Sequence, residues 1–180
     1  REEVVVTARE RLKGRFARFL EAISPTEAQR KQASEELQFL EDKLSTFIKD
    51  DDPFEFVKAL RAGGFAKATS LRRAESADFD ADLAVYVVAA DDAETPTDDL
   101  LGYLEKLASR AYKNRTTRMP KFDRSSKSSV RIIFDVTPKL NIDLCPVIAL
   151  DHDSIPNWGV ILRRDGEKRH TSVTEHVTFV

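Results

Sequence analysis

The chain has 180 residues, of which 41% are hydrophobic and 33% are charged, and its formal net charge is −2. This length and composition are typical of a globular domain with a sizeable core, and the near-neutral charge excludes a strongly cationic protein that packages nucleic acid. No apolar run approaches the roughly 20 residues that span a bilayer. The single cysteine, Cys145, excludes an internal disulfide and a multi-cysteine zinc site. We therefore expect a cytoplasmic protein that does not enter the membrane.

Two helices are predicted at the beginning of the chain. Apolar residues recur at helical spacing through Glu2–Ile23. The sequence "SPTE" then predicts a new helix, with Ser24 as its N-cap, Pro25 at the first helical position and Glu27 completing a capping box. This second helix has one apolar face and is expected to end near the acidic sequence "KDDDP".

A short third helix and two strands are predicted next. The helix is expected over Asp52–Leu60, and Gly63-Gly64 is expected to end it. Beyond these glycines the apolar spacing changes to a period of two, so Phe65–Arg72 and Asp80–Val88 are predicted to be neighbouring strands. The second of these strands is apolar on both faces along most of its length. It is therefore predicted to lie in the centre of a covered sheet.

The rest of the chain alternates between one helix and several strands. A helix is predicted over Asp98–Tyr112, and the basic, serine-rich segment Lys113–Ser129 is predicted to be a mobile loop. Two strands are predicted over Val130–Val136 and Leu140–Leu150, and Asp165-Gly166 indicates a hairpin turn. Helices followed by a mostly antiparallel sheet with one intervening helix predict an α+β fold.

Three aspartates, Asp78, Asp80 and Asp82, stand at alternate positions where the predicted central strand begins. Residues two apart in a strand point to the same face, roughly 6.5–7 Å apart, while Phe79 and Ala81 are expected to pack on the opposite face. This spacing suits two divalent ions about 3.5–4 Å apart, and hard carboxylate oxygens favour Mg²⁺ or Mn²⁺. Without a cation, two parallel carboxylates repel each other and one tends to stay protonated.

Three other interpretations of these aspartates compete with a metal site. An isolated D-x-D pattern is more often a solvated end of a strand than a metal site. An EF-hand loop is excluded, because Leu83 and Ala89 stand where that loop needs glycine and glutamate. Asp78 alone is interpreted as the cap of a turn.

The sequence "GGFAKATSLR" immediately before the aspartates adds a second feature. Gly63 and Gly64 allow backbone N–H groups to approach an anion, while Lys67 and Thr69 contribute a charge and a hydroxyl. A glycine pair alone is more often the end of a helix. A phosphate-binding turn followed by a metal-binding strand is, however, what nucleotidyl transfer requires.

The combination "GGFAKATSLR…DFDADLAVYV" resembles the signature of the oligoadenylate synthetase and cyclic GMP–AMP synthase branch of the polymerase-β-like nucleotidyltransferases. It is most similar to the bacterial CD-NTases, which make cyclic oligonucleotide signals in anti-phage defence. That family carries a third aspartate on a later strand, usually followed by two residues and then a proline. Asp143 in "IDLCP" and Asp135 in "FDVTP" both fit, and "NIDLCPVIA" is the more similar phrase. The resemblance covers nearly the whole chain, including the long first helix that forms the spine of the family.

The resemblance implies a fold, an activity and a set of site residues. The fold is the polymerase-β-like core, extending over residues 1–180. The activity is Mg²⁺- or Mn²⁺-dependent joining of ATP- or GTP-type nucleoside triphosphates into a cyclic or linear oligonucleotide second messenger. The implied catalytic metal ligands are Asp80, Asp82 and Asp143. The implied nucleotide-binding residues are Gly63, Gly64, Lys67 and Thr69.

The chain departs from the family pattern at two positions of the turn and at its end. Gly64 stands where the family has serine, and Ala68 stands where it has glycine. Loss of a hydroxyl donor to a phosphate costs about 1–3 kcal/mol, and Gly64→Ser is accordingly expected to strengthen triphosphate binding. The helical C-terminal lobe that closes the cleft in this family is expected to be absent from this chain. A regulatory or activating protein partner is also compatible with the resemblance.

Two other functions remain open at this point. One is a transferase that adenylylates a protein or a small molecule, although such enzymes usually carry arginine where Lys67 stands. The other is a non-catalytic nucleotide-binding module, which the changes at Gly64 and Ala68 favour. The basic segment 110–131 is interpreted as a solvated loop rather than a nucleic-acid site, and Cys145 as a small buried residue rather than a nucleophile.

Overall fold

The computed structural model describes residues 8–48, 53–71, 78–89, 97–113, 115, 120–135, 139–150 and 156–178. These ranges contain five helices and seven strands. In chain order the elements are α1 (Ala8–Ile23), α2 (Glu27–Phe47), β1 (Phe54–Ala62), α3 (Gly63–Ala66), β2 (Phe79–Ala89), α4 (Thr97–Tyr112), β3 (Lys121–Asp123), β4 (Val130–Phe134), β5 (Leu140–Ala149), β6 (Trp158–Leu162), β7 (Lys168–Ser172) and α5 (Val173–Thr178).

The strands form one mixed sheet in the order β1-β2-β5-β4-β3, while β6 pairs with both β5 and β7. Strands β2 and β5 are parallel, and the other neighbours are antiparallel. The predicted α+β fold with a mostly antiparallel sheet is therefore confirmed, as is the central position of β2. The predicted helix near Asp98–Tyr112, the two strands β4 and β5, and the hairpin around Gly166 are also observed.

Helices α2 and α4 cover one face of this sheet. The alternation of apolar residues along β2, β4 and β5 directs one set of side chains toward the helices, and a fully buried leucine contributes about 1.5–3 kcal/mol. The fully buried side chains of this core include Leu37, Leu40, Leu44, Phe79, Leu83, Leu101, Leu104, Ile132, Ile142 and Leu144.

The opposite face of the sheet is covered along only part of its length. A second cluster of Ala84, Tyr86, Val147 and Val173 buries the part near β6, β7 and α5. The Tyr86 hydroxyl donates to the Asn157 carbonyl at 2.8 Å, which satisfies its polar end. Further along the same strands, the side chains on this face become polar.

The predicted helix over Asp52–Leu60 is wrong, because Phe54–Ala62 forms strand β1 against β2. Phe54 and Ala59 are buried in the core. A register shift between Phe56 and Lys58 interrupts the alternation of the strand, so its period of two is hidden in the sequence. Pairing with β2 decides the structure here over the weak local preference.

The predicted strand over Phe65–Arg72 is also wrong. Gly63-Gly64 begins the short helix α3 instead of ending one, and the described residues from 67 to 71 are irregular. Gly63 and Ala68 adopt left-handed φ values of 60° and 56°, and such a conformation is incompatible with a continuous strand. The antiparallel neighbour of β2 is therefore β1, in place of the predicted strand.

The N-cap of helix α2 lies two residues later than predicted, at Thr26 in place of Ser24. Thr26 is the N-cap, and its Oγ1 accepts from the Gln29 backbone N–H at 3.2 Å. The Thr26 N–H donates in return to Gln29 Oε1 at 2.9 Å. Pro25 has no N–H to continue the ladder of α1, so the leading helical segment consists of two consecutive helices.

The segment Lys113–Ser129 is not irregular throughout. Lys121–Asp123 forms β3, which pairs with β4. Residues 114 and 116–119 lie outside the described residues, and mobility of this segment stays a prediction.

A buried carboxylate connects α2 to α4. Glu36 is fully buried, and it accepts from the Tyr112 hydroxyl at 3.0 Å and from Arg115 Nη1 at 2.6 Å. The Arg115 guanidinium also lies over the Phe39 ring, 4.1 Å from its centroid. Burial, followed by the charge of Glu36, raises the pKa of Tyr112, so this hydroxyl stays a donor.

Arg115→Met is expected to destabilise the fold by about 1–3 kcal/mol, since it removes the guanidinium that pairs with the buried charge of Glu36. The expected loss is at the low end for a buried pair because Arg115 keeps contact with water. Chemical denaturation measures it. Lys106→Met, at an exposed position of α4, is the control and is expected to change stability by less than about 0.5 kcal/mol. Equal stabilities of the two variants would contradict the role of the pair.

Candidate active site

A row of charged residues crosses the open face of the sheet. Asp82 of β2 is the register partner of Asp143 of β5, and Asp143 is the partner of Arg131 of β4. Arg131 is in turn opposite Asp123 of β3. Register partners on adjacent strands share a face and lie about 5 Å apart. The three pairings therefore place two carboxylates, one guanidinium and a third carboxylate side by side.

Asp80 lies two residues from Asp82 on the same face. Its register partner is Asn141, whose Nδ2 donates to Asp80 Oδ1 at 2.9 Å. The intervening residues Phe79 and Ala81 are fully buried on the opposite face, as the alternation predicted. The hydrophobic core thus fixes the direction in which the aspartates point.

Asp82 is repelled by its acidic neighbours in this cluster. Burial raises the pKa of its carboxyl, and the negative charges of Asp143 and Asp80 raise it further. The positive charge of Arg131 acts in the opposite direction and does not cancel these effects. The site therefore favours additional positive charge beside Asp82.

Asp143 is held by a bidentate ion pair. Arg131 donates from Nε to Asp143 Oδ1 at 2.9 Å and from Nη2 to Oδ2 at 2.7 Å. The exposed fractions of the two side chains are 31% for Arg131 and 14% for Asp143, so water screens this pair only partly. The hydrogen bonds to Asp143 raise the pKa of the guanidinium.

The other two aspartates of the sequence patterns lie apart from the row. Asp135 follows β4, is exposed and pairs with Lys121 at 3.2 Å. Asp78 precedes β2 and lies 4.0 Å from Lys139. The structure thus brings together Asp80, Asp82 and Asp143, while their role as metal ligands stays a prediction.

The glycine turn touches the row directly. Gly63 follows Ala62, the register partner of Asp82, and a Cβ at Gly63 would lie only 1.9 Å from Asp82 Oδ2. Together with its φ of 60°, this contact means that only glycine lets the turn approach the carboxylate.

The rest of the turn folds back on itself. The Thr69 N–H donates to the Gly64 carbonyl at 2.8 Å, and the Lys67 N–H donates to the Gly63 carbonyl at 3.3 Å. A Cβ at Gly64 would lie 3.2 Å from both Cα and Oγ of Ser70. The expected benefit of Gly64→Ser therefore requires a small shift of Ser70. Contacts from Lys67 and Thr69 to a phosphate stay predictions.

The oxygen-rich cluster fits a hard divalent cation in its donor chemistry and in its need for positive charge. Gly63 approaches Asp82 so closely that any side chain at this position would collide with the carboxylate. Within the described part of the chain, no three His, Cys, Asp or Glu side chains are arranged to hold an ion together. Both oxygens of Asp143 accept hydrogen bonds from Arg131, so a cation at Asp143 would share these oxygens with the guanidinium or displace it.

Cys145 lies on the same face, two residues beyond Asp143, and is partly buried. Burial, assisted by the charges of Asp82 and Asp143, raises the pKa of its thiol to about 12. The thiol is therefore neutral at physiological pH, which agrees with its interpretation as a small packed residue.

Sequence reasoning missed Arg131 and Asn141. Asn141 precedes Asp143 by two residues and so shares its face, a signal that the sequence does contain. The sequence indicates for Arg131 only that it belongs to a basic segment. Its place beside Asp143 follows from the register of β4 against β5, which no local pattern specifies.

Comparison with known proteins identifies the class. The E. coli MS115-1 CdnC in a complex with HORMA-deltaN shares 26% identity with this chain, with a TM-score of 0.63 over 91% of this chain and 48% of that chain. CdnC with ATP gives a TM-score of 0.64 at the same identity and coverage. The Bradyrhizobium diazoefficiens CD-NTase CdnG, in complex with GTP, shares 13% identity and a TM-score of 0.64 over 88% of this chain and 42% of that chain. The fold is that of the CD-NTase nucleotidyltransferases.

Residues 11–158 match the SMODS family, described as the Second Messenger Oligonucleotide or Dinucleotide Synthetase domain. The chain therefore belongs to the SMODS family, which confirms the predicted class of nucleotidyltransferase. It spans about half the length of the CdnC chains. No curated protein matches the sequence. Among the described residues, no helix is long and apolar enough to cross a membrane.

Ala68, which stands in place of a glycine in the family pattern, has a φ of 56°. An alanine in this left-handed conformation costs about 1–2 kcal/mol. Ala68→Gly is expected to stabilise the protein by about 1 kcal/mol, less the entropy that glycine adds to the unfolded chain. Thermal or chemical denaturation measures this gain.

The control for this prediction is Ala108→Gly in α4, where the same change is expected to destabilise by about 1 kcal/mol or more. Destabilisation of similar size in both variants would show that the left-handed conformation at Ala68 is not strained.

Proposed function

We propose that this chain is the catalytic core of a Mg²⁺-dependent nucleotidyltransferase that makes a cyclic or linear oligonucleotide second messenger. The observation that carries the proposal is the pairing of Asp82 with Asp143, with Asp80 on the same face and Gly63 against Asp82. The match to the SMODS family supports the class of product. The ATP and GTP in the structures of CdnC and CdnG support nucleoside triphosphates as substrates. A role in cytoplasmic anti-phage signalling belongs to the same proposal.

Each site residue then has a defined task. Asp80 and Asp82 would hold two divalent cations at the triphosphate, and Asp143 would hold the cation at the attacking ribose hydroxyl and help accept its proton. A bound Mg²⁺ supplies charge neutralisation at the phosphates. Backbone N–H groups at Gly63 and Gly64 bind phosphate oxygens.

Lys67 and Thr69 complete the nucleotide site with a positive charge and a hydroxyl. Lys67 is half-buried and Thr69 is exposed, so neither side chain is locked into the core. Positioning of the reactants and neutralisation of charge provide most of the catalysis in this type of transfer, and two rigid central strands suit both requirements.

A second, helical lobe is proposed to complete the nucleotide cleft in the working enzyme. The CdnC chains are about twice as long as the region they share with this chain. Helix α1 carries an apolar stripe of Leu12, Phe16, Phe19 and Leu20, all exposed. Four neighbouring apolar side chains on one helix face suit burial against further protein. A regulatory protein partner is a related proposal, suggested by the complex of CdnC with HORMA-deltaN.

The activity is tested by incubating the full-length protein with labelled ATP, GTP, CTP and UTP and either Mg²⁺ or Mn²⁺, followed by separation of the products. Asp82→Asn and Asp143→Asn are expected to lower turnover by at least about 100-fold, since each removes a charge at the reacting phosphates. Asp135→Asn, at an exposed position outside the row, is the matched control and is expected to retain activity.

Two results of this assay would contradict the proposal. Unchanged turnover in Asp82→Asn would exclude the metal-dependent mechanism. Nucleotide binding without any product, in the presence of the protein partner, would favour a non-catalytic module. Transfer of a nucleotide to a protein would instead favour the modifying transferase.

Stability without metal gives an independent test of the carboxylate cluster. Because the fold raises the pKa of Asp82, this group binds its proton more tightly in the folded state. Its ionisation therefore costs stability as the pH rises above the ordinary carboxyl pKa of about 3.9. Asp82→Asn in EDTA is expected to raise the unfolding midpoint at pH 7 by a few degrees, on the order of 1 kcal/mol or less.

This gain is expected to vanish as the pH falls below about 4, because Asp82 is then protonated in both folded and unfolded states. Thermal denaturation of wild type, Asp82→Asn and Asp135→Asn across this pH range provides the measurement. A gain of equal size for both variants, or one that persists at low pH, would show that repulsion at Asp82 is not its cause.

A further inference from the structure

The Arg131–Asp143 ion pair is part of the sheet itself. Strands β4 and β5 are antiparallel neighbours, and their register places the two residues opposite each other. The backbone positions of both partners are therefore fixed by the ladder and by the buried side chains on the opposite face, Ile132 and Ile142. Only the side chains are able to change partners.

Arg131 compensates more than one carboxylate. Asp143 is its principal partner, and Asp80 and Asp123 attract the same guanidinium. Arg131 also opposes the repulsion that acts on Asp82. A guanidinium keeps its positive charge at any physiological pH. Arg131 thus supplies a permanent positive charge among the acidic side chains of the row.

A divalent cation at Asp143 would bind the carboxylate that Arg131 already holds. The bidentate pair engages both oxygens of Asp143, and a hard cation binds through the same oxygens. The charge of the cation also repels a guanidinium beside it. Each of the two interactions therefore weakens the other.

We propose that Arg131 is a positioning residue that competes with the divalent cation for Asp143. This inference rests on the proposed function, because it takes Asp143 as a ligand of the catalytic cation. Without nucleotide, the ion pair holds Asp143 in place and offsets the repulsion among the neighbouring carboxylates. Mg²⁺ usually binds through one or two carboxylates together with substrate phosphates, so competition by Arg131 makes full occupancy depend on the arrival of the triphosphate.

The test is Mn²⁺ binding to the full chain in the absence of nucleotide, followed by electron paramagnetic resonance at a temperature where every variant is folded. Arg131→Met is expected to bind Mn²⁺ about tenfold more tightly than wild type, since a charge-assisted bidentate pair no longer competes. In EDTA the same variant is expected to have a lower unfolding midpoint. Arg124→Met, which removes an ion pair with Glu105 outside the row, is expected to leave Mn²⁺ affinity unchanged.

Arg131→Lys provides a second variant that keeps the charge and removes the planar fork. It is expected to bind Mn²⁺ with an affinity between those of wild type and Arg131→Met. If Arg131→Met does not fold, the comparison of Arg131→Lys with wild type decides the question. A purely structural role of Arg131 would lower stability without tightening Mn²⁺ binding.

Two outcomes would overturn the inference and are distinguishable from each other. Equal or weaker Mn²⁺ binding in the Arg131 variants, with binding still abolished by Asp82→Asn, would refute the competition and leave the proposed function intact. Mn²⁺ binding that is insensitive to both Asp80→Asn and Asp82→Asn would refute the metal assignment itself, and the inference with it.

Discussion

The parallel pairing of β2 with β5 is the constraint on which the site depends. Its register makes Asp82 and Asp143 neighbours and at the same time buries Leu83 and Leu144 on the helical side of the sheet. A slip of one residue would turn every side chain of β2 to the opposite face, exposing the core and burying the aspartates. The pairing of β2 with β5 therefore fixes both the packing of the core and the positions of the carboxylates.

This arrangement places several carboxylates close together, and their mutual repulsion does not stabilise the fold. Asp82 is repelled by its two neighbours, and the left-handed Ala68 adds a local conformational cost. Burial on the other face of the sheet outweighs both effects. Costs of this kind cluster at functional sites, where the geometry is maintained by the surrounding fold.

The two positions of the glycine turn that depart from the family pattern, Gly64 and Ala68, have different structural surroundings. Gly64 packs against Ser70, so the absent serine hydroxyl is accompanied by a closer approach of two backbone segments. Ala68 keeps the left-handed conformation that explains a glycine at this position in related proteins. Gly63, in contact with Asp82, is the position of the turn at which any side chain would collide with the carboxylate.

The sequence by itself determined the helices with clear periodicity and the central strand with Asp80 and Asp82 on one face, because these features depend on local spacing. The choice of Asp143 rests on the resemblance of its surrounding phrase to the family pattern. The sequence did not determine strand β1, whose alternation is interrupted by the shift between Phe56 and Lys58, or the turn that follows it. The tertiary structure alone decided that Arg131 faces Asp143. Pairing between strands distant in the chain is set by burial and by hydrogen bonding across the whole sheet, and no short stretch of sequence contains that information.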